Sequence, residues 1–184
     1  MSAAGLASKL EELRAAFDRT FAAAEQDQAA AQHVDVLAIR VADQGYALRL
    51  AEVLAVHAER KLVPVPSPAP ELLGLVGLRG LVAPVYDLRQ LLGHAAGPTP
   101  RWLVLARGPS AIGFAFDALD QHLRVPLVDV VMPQASEAGG TIFFAPGSVL
   151  TPSGPRPLLH LPTLIERVTH SQAPHGAAQR EGPR

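Results

Sequence analysis

From His33 to about Val168, this chain breaks its apolar residues into short runs, each closed by proline, glycine or a polar turn. With 17 prolines and 15 glycines in 184 residues, long helices are excluded over most of that span, while short strands remain open. VDVLAIRVA places Leu37, Ile39 and Val41 on one face. YALRL places Tyr46, Leu48 and Leu50 on one face and Arg49 on the other. Asp43-Gln44-Gly45 reads as the turn between them, with Gly45 the residue free to take positive φ. AEVLAVH continues the pattern, and VPVPSPAPELLG is a proline-rich connection that cannot be a central strand. GLVGLRGLVAPVYDLRQLLG suggests two strands around a tight connection. A short helix, Leu88 to Leu92, follows, capped by Asp87 and ended by Gly93. WLVLAR, AIGFAF, HLRVPLVDVV and TIFFAP are strand-like, with turns at Gly108-Pro109 and Gly139-Gly140. PVYDLRQLL and PLLHLPTLI echo each other, which points to two related β units. No long βα alternation appears, so the pattern indicates a mainly β chain built as small barrels.

The two ends differ from this centre. Residues 1–33 are alanine-rich and free of proline. Leu6, Leu10, Leu13, Phe17, Phe21 and Ala24 recur at steps of three and four, one stripe of an amphipathic helix. An isolated helix of this kind is marginal in water, so the stripe needs a surface: its own domain, a partner or a second copy. Leu10, Leu13, Phe17 and Phe21 are the candidate contacts. Residues 169–184 are polar and read as a disordered tail. The division expected is therefore a helical extension, 1–33, a β domain, 34–168, and a tail, 169–184.

Chemistry is harder to find. The formal net charge is -1 and aromatic residues make up 5%, which argues against nucleic-acid binding. Cysteine is absent, which removes thiolate metal sites and cysteine nucleophiles and fits a reducing cytoplasm. No charge-free stretch approaches the ~20 apolar residues of a membrane helix. The opening MSAAGLASKLEELRAAFDRTF carries charges before any signal-like run develops, so a cytoplasmic location is expected. The seven histidines fall in no H-x-H or H-E-x-x-H pattern, and no serine lies in G-x-S-x-G. Asp117 and Asp120 could pose as paired carboxylates but read as solvated turn residues. Gly74, Gly77 and Gly80 match no phosphate-loop spacing and read as backbone devices. No catalytic residue, metal or cofactor is expected.

Arg79 stands among apolar residues, where an unpaired guanidinium is costly to bury. It either caps a hairpin or anchors a partner beside an apolar surface. At this point the stretch LGLVGLRGLVAPVYDLRQLLG resembles the CheW family, whose signature runs roughly G-V-x-N-L-R-G-x-x-x-P-V-x-D-L-R. Gly74, Val76, Leu78, Arg79, Gly80, Pro84, Val85, Asp87, Leu88 and Arg89 fill the matching places. Tyr46 and Val53 upstream, and Gly113 and Asp117 downstream, extend the resemblance over about Asp35 to Val168.

The resemblance implies two five-stranded SH3-like barrels sharing a core. It implies a non-enzymatic adaptor that joins chemoreceptor signalling tips to a CheA-type histidine kinase and reaches membranes only through receptors. It places Val53, Gly74, Arg79, Gly80 and Leu119 near a receptor groove between the barrels. Gly77 in place of the usual asparagine, Arg49 and Ala55 in place of acidic residues, and His160 in place of an aspartate mark a specialised member. The alternative within the family is an accessory protein that binds receptors and not the kinase. Outside it, the alternative is a small β-barrel enzyme or nucleic-acid binder.

Overall fold

The computed structural model describes residues 32–78, 80–131 and 144–171. The expected helical extension, with Leu10, Leu13, Phe17 and Phe21, lies outside the described residues, as do Arg79, the Gly139-Gly140 turn and residues 172–184. The elements in order are β1 (His33–Val41), β2 (Gln44–Arg49), a 3-10 turn η1 (Leu50–Glu52), β3 (Val53–Ala58), β4 (Leu72–Leu78), β5 (Leu81–Asp87) and α1 (Leu88–Leu91). They continue with β6 (Trp102–Ala106), β7 (Ile112–Phe116), β8 (Ala118–Pro126), a second 3-10 turn η2 (Leu127–Asp129), β9 (Val130–Val131), β10 (Gly147–Thr151), β11 (Gly154–Leu159) and α2 (Leu161–Ser171).

The strands form two sheets, ordered β8-β1-β2-β11-β10-β9 and β3-β6-β7-β5-β4. The six strands of the first reduce to five, because η2 merely interrupts one long strand, β8–β9. Since β8 and β9 end the order at opposite sides, that strand closes the sheet on itself. The second sheet closes through the proline-rich connection after β3: Val63 and Leu75 exchange two backbone hydrogen bonds of 2.8 Å. Pro64 and Pro66 follow Val63, so this stretch bridges for a single residue rather than pairing as a strand. The expected pair of five-stranded barrels is thus present.

The halves of the chain repeat. β1–β2 pairs like β6–β7, β3–β6 like β8–β1, and β4–β5 like β10–β11. Parallel contacts match too: β5 beside β7 with Val85 opposite Gly113, and β11 beside β2 with Leu158 opposite Ala47. The echo between PVYDLRQLL and PLLHLPTLI is therefore structural. The second sheet is built from one continuous stretch, β3 to β7, whereas the first is assembled from both ends of the described chain.

Alternation along the strands sorts the apolar residues into three clusters. Val36, Ala47, Val125, Val149 and Leu158 fill the first barrel. Val76, Leu78, Ala83, Val85, Leu103, Leu105 and Ala115 fill the second. The opposite faces of the same strands meet between the barrels, where Ile39, Tyr46, Leu48, Tyr86, Phe114 and Phe116 form the largest cluster, sealed by α1 and α2 through Leu88, Leu161, Leu164 and Val168. The shared core is a layer between two closed sheets.

Several local expectations need correction. The first hairpin turns at Ala42 and Asp43, with φ of 48° and 30°, as a two-residue turn with two positive φ angles. Gly45 lies in β2, where the guanidinium of Arg156 sits 3.2 Å from where a Cβ would be; the glycine makes room for an arginine. Leu50 begins η1 and is exposed, so the alternation in YALRL stops one residue early. HLRVPLVDVV is broken by η2, and 144–146 are irregular rather than extended. β10 had no counterpart in the sequence reading. Between Pro146 and Pro152 its only inward apolar side chain is Val149. Finally, α2 runs through Ser171, taking in residues read as tail. Its last turn is tied by Thr169 Oγ1 donating to Ile165 O and by His170 Nδ1 donating to Glu166 O.

Candidate binding surface

Val53 and Leu119 take equivalent places in the two barrels. Val53 pairs with Ala106 beside an irregularity in β3, and Leu119 pairs with Ile39 beside one in β1–β8. Such bulges turn a side chain from its regular face. Both residues come to the layer between the barrels, Val53 buried in its cluster and Leu119 half-buried against it. The structure therefore brings these two together at the seam.

Gly74 and Gly80 stand elsewhere. Gly74 lies in β4 with φ +143°, and a Cβ there would collide with the Val63 carbonyl, 2.9 Å from its carbon. Its absent side chain is what lets the Val63 segment close the barrel. Gly80 turns β4 into β5 with φ +85° and open space around it. Beside it, Leu81 and Val82 are 51% and 68% exposed. The start of β5 is thus an exposed apolar stretch, and the exposed Leu54 follows Val53 in β3 at the opposite end of the sheet order. The exposure of Leu81 and Val82 was not foreseen, although the run GLV straight after Leu-Arg carried that signal.

The polar groups around the seam are committed to holding it. Asp117 Oδ1 accepts from Arg89 Nη2 at 2.7 Å, and its Oδ2 accepts from the Ala42 amide at 2.7 Å. Asp120 accepts from Arg40 and from Arg156, both at 2.9 Å. The two aspartates are ion-pair partners joining segments far apart in sequence, not solvated turn residues. Arg89, Asp117, Arg40 and Pro98 line an open cleft of about 420 Å³. Asp87 caps α1 as expected, accepting from the Arg89 amide at 2.9 Å, and Gly93 ends it with φ +80°. Burial pushes the Tyr46 hydroxyl above its ordinary pKa; it bonds Gln44 and His94.

His160 occupies in α2 the place that Asp87 holds in α1, and its Nδ1 bonds Thr163 at 2.8 Å. The first amide of α2, on Leu161, donates instead to Glu52 Oε2 of η1 at 2.9 Å. A carboxylate from the turn between the barrels has replaced the local cap. A helix N-terminus favours that negative charge. Glu52→Ala is expected to cost about 1 kcal/mol, read as a lowered melting temperature.

Among the described residues no group of three or more His, Asp or Glu could hold a metal ion, and no helix is long and apolar enough to cross a membrane. Among the described histidines, His122 bonds Asp35 and His57 bonds Arg60.

Comparison with known proteins follows the same lines. Chemotaxis protein CheW of Rhizobium meliloti is 29% identical over 99 residues, covering 52% of this chain and 64% of that protein. The probable chemotaxis protein CheW of Rhizobium etli is 28% identical over 94 residues, covering 50% and 61%. The matched stretch is thus less than two thirds of the length of these curated relatives. The crystal structure of the scaffolding protein TtCheW from Thermoanaerobacter tengcongensis superposes with a TM-score of 0.63 at 17% identity, covering 70% of this chain and 90% of that one. It shares the fold. The family model described as the CheW-like domain matches residues 35–167, both barrels and the central motif included. The chain belongs to the CheW-like domain family.

Proposed function

We propose that this chain is a non-enzymatic, cytoplasmic chemosensory adaptor that couples the signalling tips of methyl-accepting chemoreceptors to the regulatory domain of a CheA-type histidine kinase. The observation that carries this reading is the CheW-like match across the whole double barrel, residues 35–167. At the seam between the barrels Leu119 is half-buried and Val53 buried in the shared layer, and exposed Leu81 and Val82 follow Arg79 and Gly80 in sequence. A receptor's helical hairpin is recognised by such a surface through apolar side chains at helical spacing, with an arginine to fix its register. Nucleic acid and membrane lipid play no direct part.

The test is a pull-down of the full chain against its pathway's kinase and, separately, a receptor signalling domain. Binding to both is expected. Binding to neither sinks the reading. The second reading, an accessory protein that binds receptors alone, is favoured by the place of Gln32, the first described residue, whose carbonyl accepts from the Leu127 amide of η2 on the first barrel. Receptor binding without kinase binding selects it.

Arg79→Ala is expected to weaken receptor binding by about 1–3 kcal/mol with the fold intact, read by titration calorimetry and circular dichroism. Unchanged affinity in a folded variant removes the anchor role, and an unfolded variant assigns Arg79 to the hairpin.

A further inference from the structure

Each seam residue sits beside a bulge, and the two bulges are held differently. In the first barrel the extra residue is Asp120, between Leu119 and Gln121 on β8 and opposite the step from Ala38 to Ile39. Its carboxylate is taken by Arg40 and Arg156. In the second barrel the extra residue is Leu54, between Val53 and Ala55 on β3 and opposite the step from Leu105 to Ala106. A leucine offers no charge by which the bulge could be tied, so the backbone there must be held from elsewhere.

Arg107 holds it. This residue follows Ala106, the partner of Val53, as Arg40 follows Ile39, the partner of Leu119. Its amide donates to Glu52 O at 2.8 Å, its Nε to Ala51 O at 3.2 Å and its Nη2 to Val53 O at 3.4 Å. One residue thus satisfies three consecutive carbonyls, from η1 into β3, at the point where the regular ladder is broken. The side chains show the outcome. Ala55 packs on the second barrel's own cluster and Val56 against the shared layer, so alternation puts Leu54 on the shared-layer side of β3. Val53, beside it, is buried in that same layer at 5% exposure, whereas Leu54 is 50% exposed. The bulge therefore sets two successive side chains on one side of the strand, the first inside the layer and the second at its rim.

We propose that Arg107 is a positioning residue for the seam: by clasping three carbonyls it holds Leu54 at the rim as an apolar contact for the receptor helix. This inference rests on the adaptor reading above and names a residue pair within it. Buried Val53 has little surface to give a partner, so Leu54 is the side chain that the helix meets at this bulge. At the matching place in the first barrel, Asp120 is already committed to its two arginines.

Titration calorimetry of the full chain against a receptor signalling domain tests this, with circular dichroism to check the fold of each variant. Leu54→Ala and Arg107→Ala are each expected to weaken binding about tenfold. Arg107→Lys keeps the charge but cannot bridge two carbonyls, and an intermediate loss is expected. Arg101→Ala is the control: it removes an arginine whose bond to Glu59 lies at the surface, and parental affinity is expected. Because Arg107 acts through Leu54, the double variant Leu54→Ala with Arg107→Ala should bind no worse than the weaker of the two single ones. Losses that add would make Arg107 a contact in its own right and overturn the proposal. Parental affinity in a folded Leu54→Ala or Arg107→Ala would overturn it as well. Should Arg107→Ala unfold, Arg107→Lys decides in its place, and parental affinity in that variant counts against the clasp. A parent chain that binds no receptor domain removes the adaptor reading and this inference together. A parent that binds, with variants that bind equally well, removes this inference alone.

Discussion

Gly74→Ala is expected to destabilise the protein by about 3 kcal/mol or more, read as a lower denaturant midpoint. Two costs combine. The backbone at φ +143° is a conformation that residues with a Cβ rarely adopt. The new methyl would also press on main chain rather than on a side chain that could move away, since its nearest neighbours are Val63 carbonyl atoms and Pro64 Cα. The bridge between Val63 and Leu75 would part, and with it the closure of the second barrel. Gly77→Ala is the control. Gly77 has an ordinary φ and nothing within 4 Å of a Cβ, so alanine there is expected to be neutral or stabilising by about 0.5 kcal/mol. If Gly74→Ala is as stable as the parent, this account of the barrel's closure is wrong. If it unfolds, any loss of receptor binding by that variant reports on folding and not on contact.

Asp117→Ala is expected to cost about 2–4 kcal/mol. Arg89 is 11% exposed at its side chain, and its Nε already finds no partner among the described residues. Removing the carboxylate strands a largely buried guanidinium and releases the Ala42 amide at a turn whose two residues both hold positive φ. The double variant Arg89→Leu with Asp117→Leu should lose less than Asp117→Ala alone, because it strands no charge. A double variant worse than the single one would mean that the pair itself, rather than the orphaned charge, sets the cost. Thermal unfolding in low and moderate salt separates the two, since a sheltered pair is screened little.

The sequence made the strands legible wherever alternation was strong. Leu37, Ile39, Val41, Tyr46 and Leu48 all point to the shared layer, and Asp87 and Gly93 bound their helix as their chemistry requires. What escaped was decided by partners remote in the chain. Arg156 explains Gly45 from more than a hundred residues away, and Asp120 pairs with arginines of β1 and β11 that no local pattern links to it. β10 escaped because a strand lying against proline-rich neighbours needs only one inward apolar residue. Of the candidate receptor contacts, Val53 and Leu119 both belong to the layer between the barrels. Gly74 is explained by the crossing of Val63, a contact that becomes visible only once the barrel has closed.

The order of the strands also sets an order in time. As the chain leaves the ribosome, the second barrel has all five of its strands once Phe116 has emerged. β1 and β2, made first, lie in the middle of their sheet and wait for β8, β10 and β11. β1 finds its partner β8 once Pro126 is made, but the other edge of β2 stays unpaired until Leu159 is made, and an unpaired edge invites pairing with other nascent chains. β1 and β2, the first of the described strands to be made, therefore belong to the last barrel to close.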